Sequence, residues 1–167
     1  MFLQFAMALL LLFGASDSQL EQLAQNGKIQ DNAPVKASSE ITISAKPERV
    51  WALLSDVNSW PTWQKDITKA QMRGPLQPGT EFTWTSGTQI RSRLALVQPP
   101  QALAWTGQAY KAKAIHVWKL EALPNGQTLV TTNESMDGFM LTVFYSSKKL
   151  KESQERWLGS LKAAAER

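Results

Sequence analysis

The sequence predicts an α+β domain in which a curved antiparallel sheet of six or seven strands wraps on a long C-terminal helix. Apolar and polar residues alternate in several short runs between residues 38 and 136, with Gly and Pro turn signals between them. A helical apolar period at residues 50–57 indicates that short helices follow the first strand. The chain closes with an amphipathic stretch, about Ser146 to Ala165, which is long enough to lie across the sheet.

The first strand is expected from residue 38, where Ile41 and Ile43 face the same side. Pro47 suits the first turn of the following helix, because the first helical residue needs no backbone donor. The apolar face of that helix comprises Val50, Leu53, Leu54 and Val57. The run Asn58-Ser59-Trp60-Pro61 ends it, and Trp63 begins a second short helix.

The remaining strands are expected at residues 67–72, 80–85, 89–97, 103–107, 114–122 and 128–136. Asn125-Gly126 favours the positive φ angles of a two-residue hairpin turn. Counted across that turn, residue 116 lies opposite 135 and residue 117 opposite 134. The C-terminal helix is expected to bury Leu150, Trp157, Leu161, Ala164 and Ala165.

The N-terminus divides into residues 1–16, a signal peptide or hydrophobic leader, and residues 17–37, a polar linker. The apolar run from Phe2 to Ala15 is shorter than the ~20 residues that span a bilayer as a helix. Gly14-Ala15-Ser16 offers small residues for cleavage, although no Lys or Arg precedes the run. Cleavage would make the protein exported or periplasmic. The alternative is a retained apolar helix, with membrane contact through residues 1–16.

Composition excludes several kinds of site. The 167-residue chain has no cysteine and one histidine, His116. Disulfides, thiolate nucleophiles, thiolate metal centres and sites that need two histidines are therefore ruled out. No metal and no cofactor is expected. The seven tryptophans point to extensive aromatic burial instead.

The net charge of +4 does not indicate a nucleic-acid partner. The basic residues are dispersed rather than gathered in one patch. Their densest run, Lys148, Lys149 and Lys151, alternates with acidic residues at helical spacing, which is typical of a solvated helix face. The expected partner is a hydrophobic small molecule, and the expected state is a monomer or weak homodimer.

Short matches to a known family occur in order along the chain, at residues 41–56, 60–63, 78–80, 99–107, 116–120, 126–134 and 157–166. They resemble the polyketide cyclase/dehydrase-type branch of the START/Bet v 1-like (SRPBCC) superfamily. The resemblance covers about residues 38–167, which we take as the ligand-binding domain. It implies a helix-grip fold with a deep apolar cavity under the C-terminal helix.

Strand alternation assigns the residues that face this cavity. The expected wall residues are Phe82, Trp84, Ser92, Leu94, Trp105, His116, Trp118, Thr132 and Glu134. The apolar segment after the last strand adds Phe139, Met140 and Phe144 as a rim or gate. Simple core packing is the alternative interpretation for each tryptophan.

His116 and Glu134 are the candidate catalytic residues. An unpaired buried carboxylate is unfavourable, so an inward Glu134 needs a partner, and His116 on the neighbouring strand is the obvious one. A neutral core histidine without function is the alternative for His116.

Three functions remain open. The leading hypothesis is binding or carriage of a hydrophobic molecule, such as a lipid, polyketide or isoprenoid, without chemistry. The second is a cofactor-independent cyclase or dehydratase in which His116 and Glu134 move protons. The third is a partner-binding module that docks through the N-terminal helix and residues 139–144.

Overall fold

The computed structural model describes residues 15–139 and 141–167. Its strands are β1 (Val35–Ile43), β2 (Lys69–Met72), β3 (Glu81–Ser86), β4 (Thr88–Gln98), β5 (Ala102–Ala109), β6 (Ala112–Ala122) and β7 (Thr128–Gly138). They form one antiparallel sheet in the order β1-β7-β6-β5-β4-β3-β2, so every consecutive pair from β2 to β7 is adjacent. The first strand joins the sheet beside the last.

The helices are α1 (Asp17–Gln25), α2 (Pro47–Ser55), α3 (Trp60–Trp63), α4 (Leu141–Phe144) and α5 (Ser147–Ala165). Short 3₁₀ turns lie at Val57–Ser59 and Pro124–Gly126. The predicted fold is confirmed: a seven-stranded antiparallel sheet, two short helices after the first strand, and a long C-terminal helix. Among residues 15–139 and 141–167, no helix is long and apolar enough to cross a membrane.

Helix α5 lies against the inner face of the sheet along one apolar stripe. Its buried residues are Leu150, Gln154, Trp157, Leu158, Leu161, Ala164 and Ala165, which follow a helical period. Gln154 is the polar member, and both its amide nitrogen and its amide oxygen form hydrogen bonds. It donates to the Ala37 carbonyl at 3.2 Å and accepts from the Ser39 hydroxyl at 3.0 Å. These two bonds fix the helix against β1.

The space between α5 and the sheet is filled by aromatic rings. Trp60 lies at its centre, with ring centres 5.6 Å from Trp105 and 5.3 Å from Trp157. Its indole nitrogen donates to the Leu54 carbonyl at 2.9 Å, which anchors α3 to α2. The resemblance implied a deep apolar cavity here. Because tryptophans from both helices and sheet converge, this volume is core instead.

The structure differs from the polar linker expected at residues 17–37. Residues 17–25 form α1, and β1 already begins at Val35. A capping box starts the helix: the Ser16 hydroxyl accepts from the Gln19 amide at 3.3 Å, and the Gln19 side chain accepts from the Ser16 amide at 2.9 Å. Except for Ala15 and Ser16, the predicted leader lies outside the described residues.

Helix α1 covers part of the outer face of the sheet. A second apolar cluster forms there from Leu20, Ala24, Ala95, Ala104, Ile115 and Val117. A bulge in β4 between Leu94 and Leu96 leaves Ala95 unpaired in the ladder, and its side chain joins this outer cluster. The sheet therefore has an apolar layer on each face, although the outer one is smaller.

The register of the β6–β7 hairpin also differs from the prediction. The turn has three residues, because the Leu123 amide donates to the Gln127 carbonyl at 2.8 Å across Pro124–Gly126. The longer turn shifts the pairing by one residue. His116 therefore lies directly opposite Glu134 rather than opposite residue 135.

We expect Leu20→Ala to lower the free energy of unfolding by about 2–3 kcal/mol, because it removes a buried side chain from the outer cluster. Urea unfolding followed by tryptophan fluorescence measures this. Gln22→Ala, at an exposed position of the same helix, is the control and should change stability by less than about 0.5 kcal/mol. Equal stability of Leu20→Ala and the control would show that α1 does not dock on the sheet.

Candidate functional site

A pocket of about 60 Å³ lies on the inner face of the sheet, toward the β5–β6 turn. Most of its wall is apolar, and two titratable side chains, His116 and Glu134, enter it. The residues that line it are Trp84, Ile90, Trp105, Gly107, Gln108, Ala109, Ala112, Lys113, Ala114, His116, Glu134 and Met136.

The sheet register brings His116 and Glu134 together. They are directly paired on β6 and β7, so their side chains leave the same face. His116 Nδ1 lies 3.6 Å from Glu134 Oε2, and His116 Nε2 lies 2.7 Å from the Thr132 hydroxyl. Because 3.6 Å is too long for a direct hydrogen bond, Nδ1 has no partner among the described residues.

Three tryptophans surround the His116 ring. Trp118, two residues along β6, stacks on it with ring centres 5.1 Å apart and an interplanar angle of 29°. Trp105 on β5 lies at 4.8 Å, and Trp157 of α5 meets it edge-on at 5.5 Å. This enclosure removes the ring from water, which disfavours its charged form.

Burial keeps both groups of the pair neutral near pH 7. Desolvation lowers the pKa of His116 to about 3 and raises the pKa of Glu134 to about 8. Between these values the pair holds one proton, on the Glu134 carboxyl group, and the two titrations belong to the pair as a whole. The Nε2–H tautomer suits this arrangement: it donates to Thr132 and turns the Nδ1 lone pair toward the protonated carboxyl group.

The pair can therefore donate and accept a proton at the same site. The carboxyl group is an acid and the imidazole nitrogen is a base, and both face a small apolar pocket. A ligand carbonyl could accept from Glu134, and a ligand hydroxyl could donate to His116 Nδ1. Among residues 15–139 and 141–167, no three His, Asp or Glu side chains lie close enough to hold a metal ion.

The residues expected at the site divide into three groups. Trp84, Trp105, His116 and Glu134 line the pocket, whereas Phe82, Leu94, Trp118 and Thr132 are packed in the core beside it. Ser92 is buried and accepts the Trp84 indole N–H at 3.0 Å. Phe139 and Phe144 are exposed at the end of the sheet. Met140 is not among the residues that the structure describes, so its expected place at the rim stays a prediction.

Sequence reasoning missed the part of the pocket nearest the β5–β6 turn. Ala112, Ala114 and Met136 line it, and each continues the inward alternation of His116 or Glu134 by two or four residues. The same alternation, extended to the ends of β6 and β7, would have identified them. The small side chains of Ala112 and Ala114 leave the space that larger core residues fill elsewhere.

A larger groove of about 430 Å³ lies on the outer face, between α1 and strands β3–β6. Most of its charged groups are paired with one another, and Arg91 is the charged lining residue without a salt bridge among the described residues. Lys113 Nζ lies 2.7 Å from Asp17 Oδ1, and Arg93 lies 3.7 Å from Glu21 and 3.9 Å from Glu81. The acid–base pair lies in the inner pocket, so we take that pocket as the candidate site.

The sequence from residue 34 to 166 matches the family model described as polyketide cyclase / dehydrase and lipid transport. No curated protein shows a significant match to the chain.

Solved structures show the same fold at low sequence identity. A hypothetical protein from Helicobacter pylori is 20% identical, with a TM-score of 0.72 over 81% of this chain and 90% of that one. The Zhui aromatase/cyclase from a Streptomyces species is 15% identical, with a TM-score of 0.63 over 79% and 93%. A START superfamily protein from Mycobacterium smegmatis is 14% identical, with a TM-score of 0.59 over 78% and 94%. At these identities the likeness shows the fold alone.

We expect stability to fall as the pH rises from about 6.5 to about 8. The unfolded chain releases the Glu134 proton near pH 4.5, whereas the folded chain keeps it to about pH 8, so rising pH favours unfolding across that range. Below pH 6.5 the effect of Glu134 on stability is cancelled by His116. There the imidazole is protonated in the unfolded chain, whereas in the folded chain it stays neutral down to about pH 3.

Urea unfolding at pH 6.5 and at pH 8 should therefore show that the free energy of unfolding is about 1–2 kcal/mol lower at pH 8. Glu134→Gln removes the titrating group and should abolish the loss. Glu121→Gln, at an exposed position on β6, should retain it. The same pH dependence in Glu134→Gln as in the unaltered protein would contradict the assignment of a raised pKa to Glu134.

Proposed function

The chain belongs to the polyketide cyclase/dehydrase and lipid transport family, and we propose that it binds a hydrophobic small molecule at the pocket beside His116 and Glu134. Family and fold support a role in hydrophobic ligand binding or cyclisation. The proposed ligand is a lipid, polyketide or isoprenoid-like molecule. The observation that carries the proposal is a mostly apolar pocket into which two polar groups converge.

The wall of the pocket suits a ligand with one polar end. Trp84, Ile90, Trp105 and Met136 supply apolar contact surface. The neutral His116–Glu134 pair offers one hydrogen-bond donor and one acceptor without introducing a charge. A hydroxyl group on the ligand would donate to His116 Nδ1, which has no protein partner among the described residues.

The volume of the pocket requires it to widen when a ligand binds. Small-molecule sites usually measure ~300–1,000 Å³, whereas this pocket measures about 60 Å³. The chain continues from the pocket residue Met136 to α4, which can move at low cost because none of its residues is buried. In this proposal the β5–β6 turn and α4 part, and the apolar body of the ligand lies between them.

We expect Ala114→Phe to weaken ligand binding at least about tenfold, because a phenyl ring would occupy most of the pocket. Farnesol serves as the isoprenoid probe, and tryptophan fluorescence reports binding because Trp84 and Trp105 line the site. Ala122→Phe is the matched control, since it places the same ring at the exposed far end of the same strand. Equal affinities in both variants would place the ligand elsewhere on the protein.

The neighbouring carboxyl group and imidazole of the His116–Glu134 pair favour a second candidate, an aldol-type cyclase. His116 Nδ1 would remove a proton from a methylene group between two ketones, and the enolate carbon would attack a third carbonyl carbon. As the new C–C bond forms, Glu134 would give its proton to the carbonyl oxygen. Proton transfer from His116 to Glu134, 3.6 Å apart, would then restore the starting pair.

If cyclisation occurs, Glu134→Gln should reduce its rate at least about 100-fold while farnesol affinity changes less than about threefold. A synthetic poly-β-ketone chain is the substrate, and the readout is the absorbance of the aromatic product that forms when the aldol product loses water and enolises. Glu121→Gln should retain the full rate. No turnover above the uncatalysed background by the unaltered protein would exclude this candidate and leave binding without chemistry.

A further inference from the structure

Four large apolar side chains are exposed at one end of the described molecule: Tyr110 is 88% exposed, Phe139 77%, Val143 64% and Phe144 73%. Tyr110 lies in the β5–β6 turn, and the other three lie between β7 and α5. The two segments are adjacent because Ala112 pairs with Gly138. Lys111 Nζ also lies 5.8 Å from the Phe139 ring centre. We call these four residues the apolar tip.

The apolar tip is unfavourable for an isolated domain. It gathers exposed apolar surface that a water-soluble domain usually buries. Tyr110 has a φ of 52°, as expected for a central residue of the two-residue hairpin turn between Ala109 and Ala112. Exposed apolar side chains gathered at one place indicate a surface that contacts something else.

Positive charge flanks the apolar tip. Lys111 lies in the same turn as Tyr110, and Lys148 and Lys149 lie in the first turn of α5, four and five residues after Phe144. All three are exposed, and none forms a salt bridge with a carboxylate in the part of the chain that the structure describes. Asp137, the acidic residue at the end of β7, forms no salt bridge among the described residues, and Lys113 opposite it pairs with Asp17 at 2.7 Å, so three lysines here outweigh one carboxylate. The end of the molecule therefore carries aromatic rings inside a partial ring of unpaired lysines.

We propose that the apolar tip docks the protein on an anionic phospholipid surface. Aromatic side chains are favoured at the boundary between headgroups and acyl chains, and nearby lysines are attracted to anionic headgroups. A protein partner would fit less well: a standard interface buries ~800 Å² on each side, whereas these are single side chains on two narrow segments. The contact needs no ligand in the inner pocket, so it goes beyond the proposed function.

The apolar tip lies next to the inner pocket. Ala109 and Ala112, which flank Tyr110 and Lys111, line the inner pocket. A bilayer at the tip would therefore lie next to the end of the sheet where the pocket is found. A hydrophobic molecule could pass between the acyl chains and the pocket without crossing water.

Site-specific labelling tests the proposal, and the absence of cysteine from the chain makes single labelling clean. Two single-cysteine variants of the full chain, Val143→Cys in the tip and Glu121→Cys at the far end of β6, are each labelled with the fluorophore NBD. We expect vesicles of phosphatidylcholine with phosphatidylserine to shift the emission of the residue 143 label to the blue and to increase its intensity severalfold. The residue 121 label should not change, and phosphatidylcholine alone should give a weaker response at residue 143.

Two outcomes would overturn the proposal. If the residue 143 label stays in water while the protein sediments with vesicles, another segment, such as the apolar residues 2–15, makes the contact. If neither the label nor the protein responds to vesicles, the tip does not bind lipid, and capture by an acidic protein surface would then identify a protein partner instead.

A combined Tyr110→Ser, Phe139→Ser and Phe144→Ser variant tests the aromatic contribution in the full chain. The vesicle-bound fraction at a fixed lipid concentration should fall at least about tenfold, while the urea midpoint should stay close to that of the unaltered protein, because these side chains are exposed. Unchanged sedimentation of this folded variant would contradict docking through the tip. Vesicle sedimentation of Ala114→Phe separates this result from the proposed function, since filling the pocket should weaken farnesol binding and leave vesicle binding unchanged.

Discussion

The burial of His116 beside Glu134 is the constraint on which the site depends. Both side chains leave neighbouring strands on the inner face, and three tryptophans shield the imidazole ring from water. A charged group there would require a buried counter-ion, and among the described residues each of the two is the other's nearest titratable partner. The pair avoids that requirement by remaining neutral, with its titratable proton on Glu134. The same solution gives the site one hydrogen-bond donor and one acceptor near pH 7.

Aromatic packing divides the inner face of the sheet into two parts. Trp60, Trp105 and Trp157 fill the middle, so that α5, α3 and the sheet form one core. Toward the β5–β6 turn the side chains become small, and the pocket, the neutral pair and the exposed apolar tip follow one another along the same strands. In this arrangement the middle of the domain supplies stability, and one end supplies the proposed ligand contact.

Sequence patterns predicted the strands, the helices after the first strand and the C-terminal helix, because each depends on local periodicity. They identified His116 and Glu134 for the same reason. The predicted register of the β6–β7 hairpin was wrong by one residue, because it assumed a two-residue turn at Asn125-Gly126 and the turn has three residues. Helix α1 was missed because its apolar face rests on two residues, Leu20 and Ala24. Alternation also shows which face of the sheet a side chain is on, but not how closely side chains on that face pack. It therefore could not distinguish a core filled by tryptophans from a cavity lined by them.

The protonation state of His116 tests the central claim most directly, and as the single histidine it gives one set of imidazole resonances. Nitrogen-15 NMR of the folded protein at pH 5 should show a neutral ring, with unequal shifts for Nδ1 and Nε2, because its pKa lies near 3. Free histidine is mostly protonated at that pH. Two nearly equal imidazolium shifts, or a titration centred near pH 6.5, would contradict a neutral buried pair.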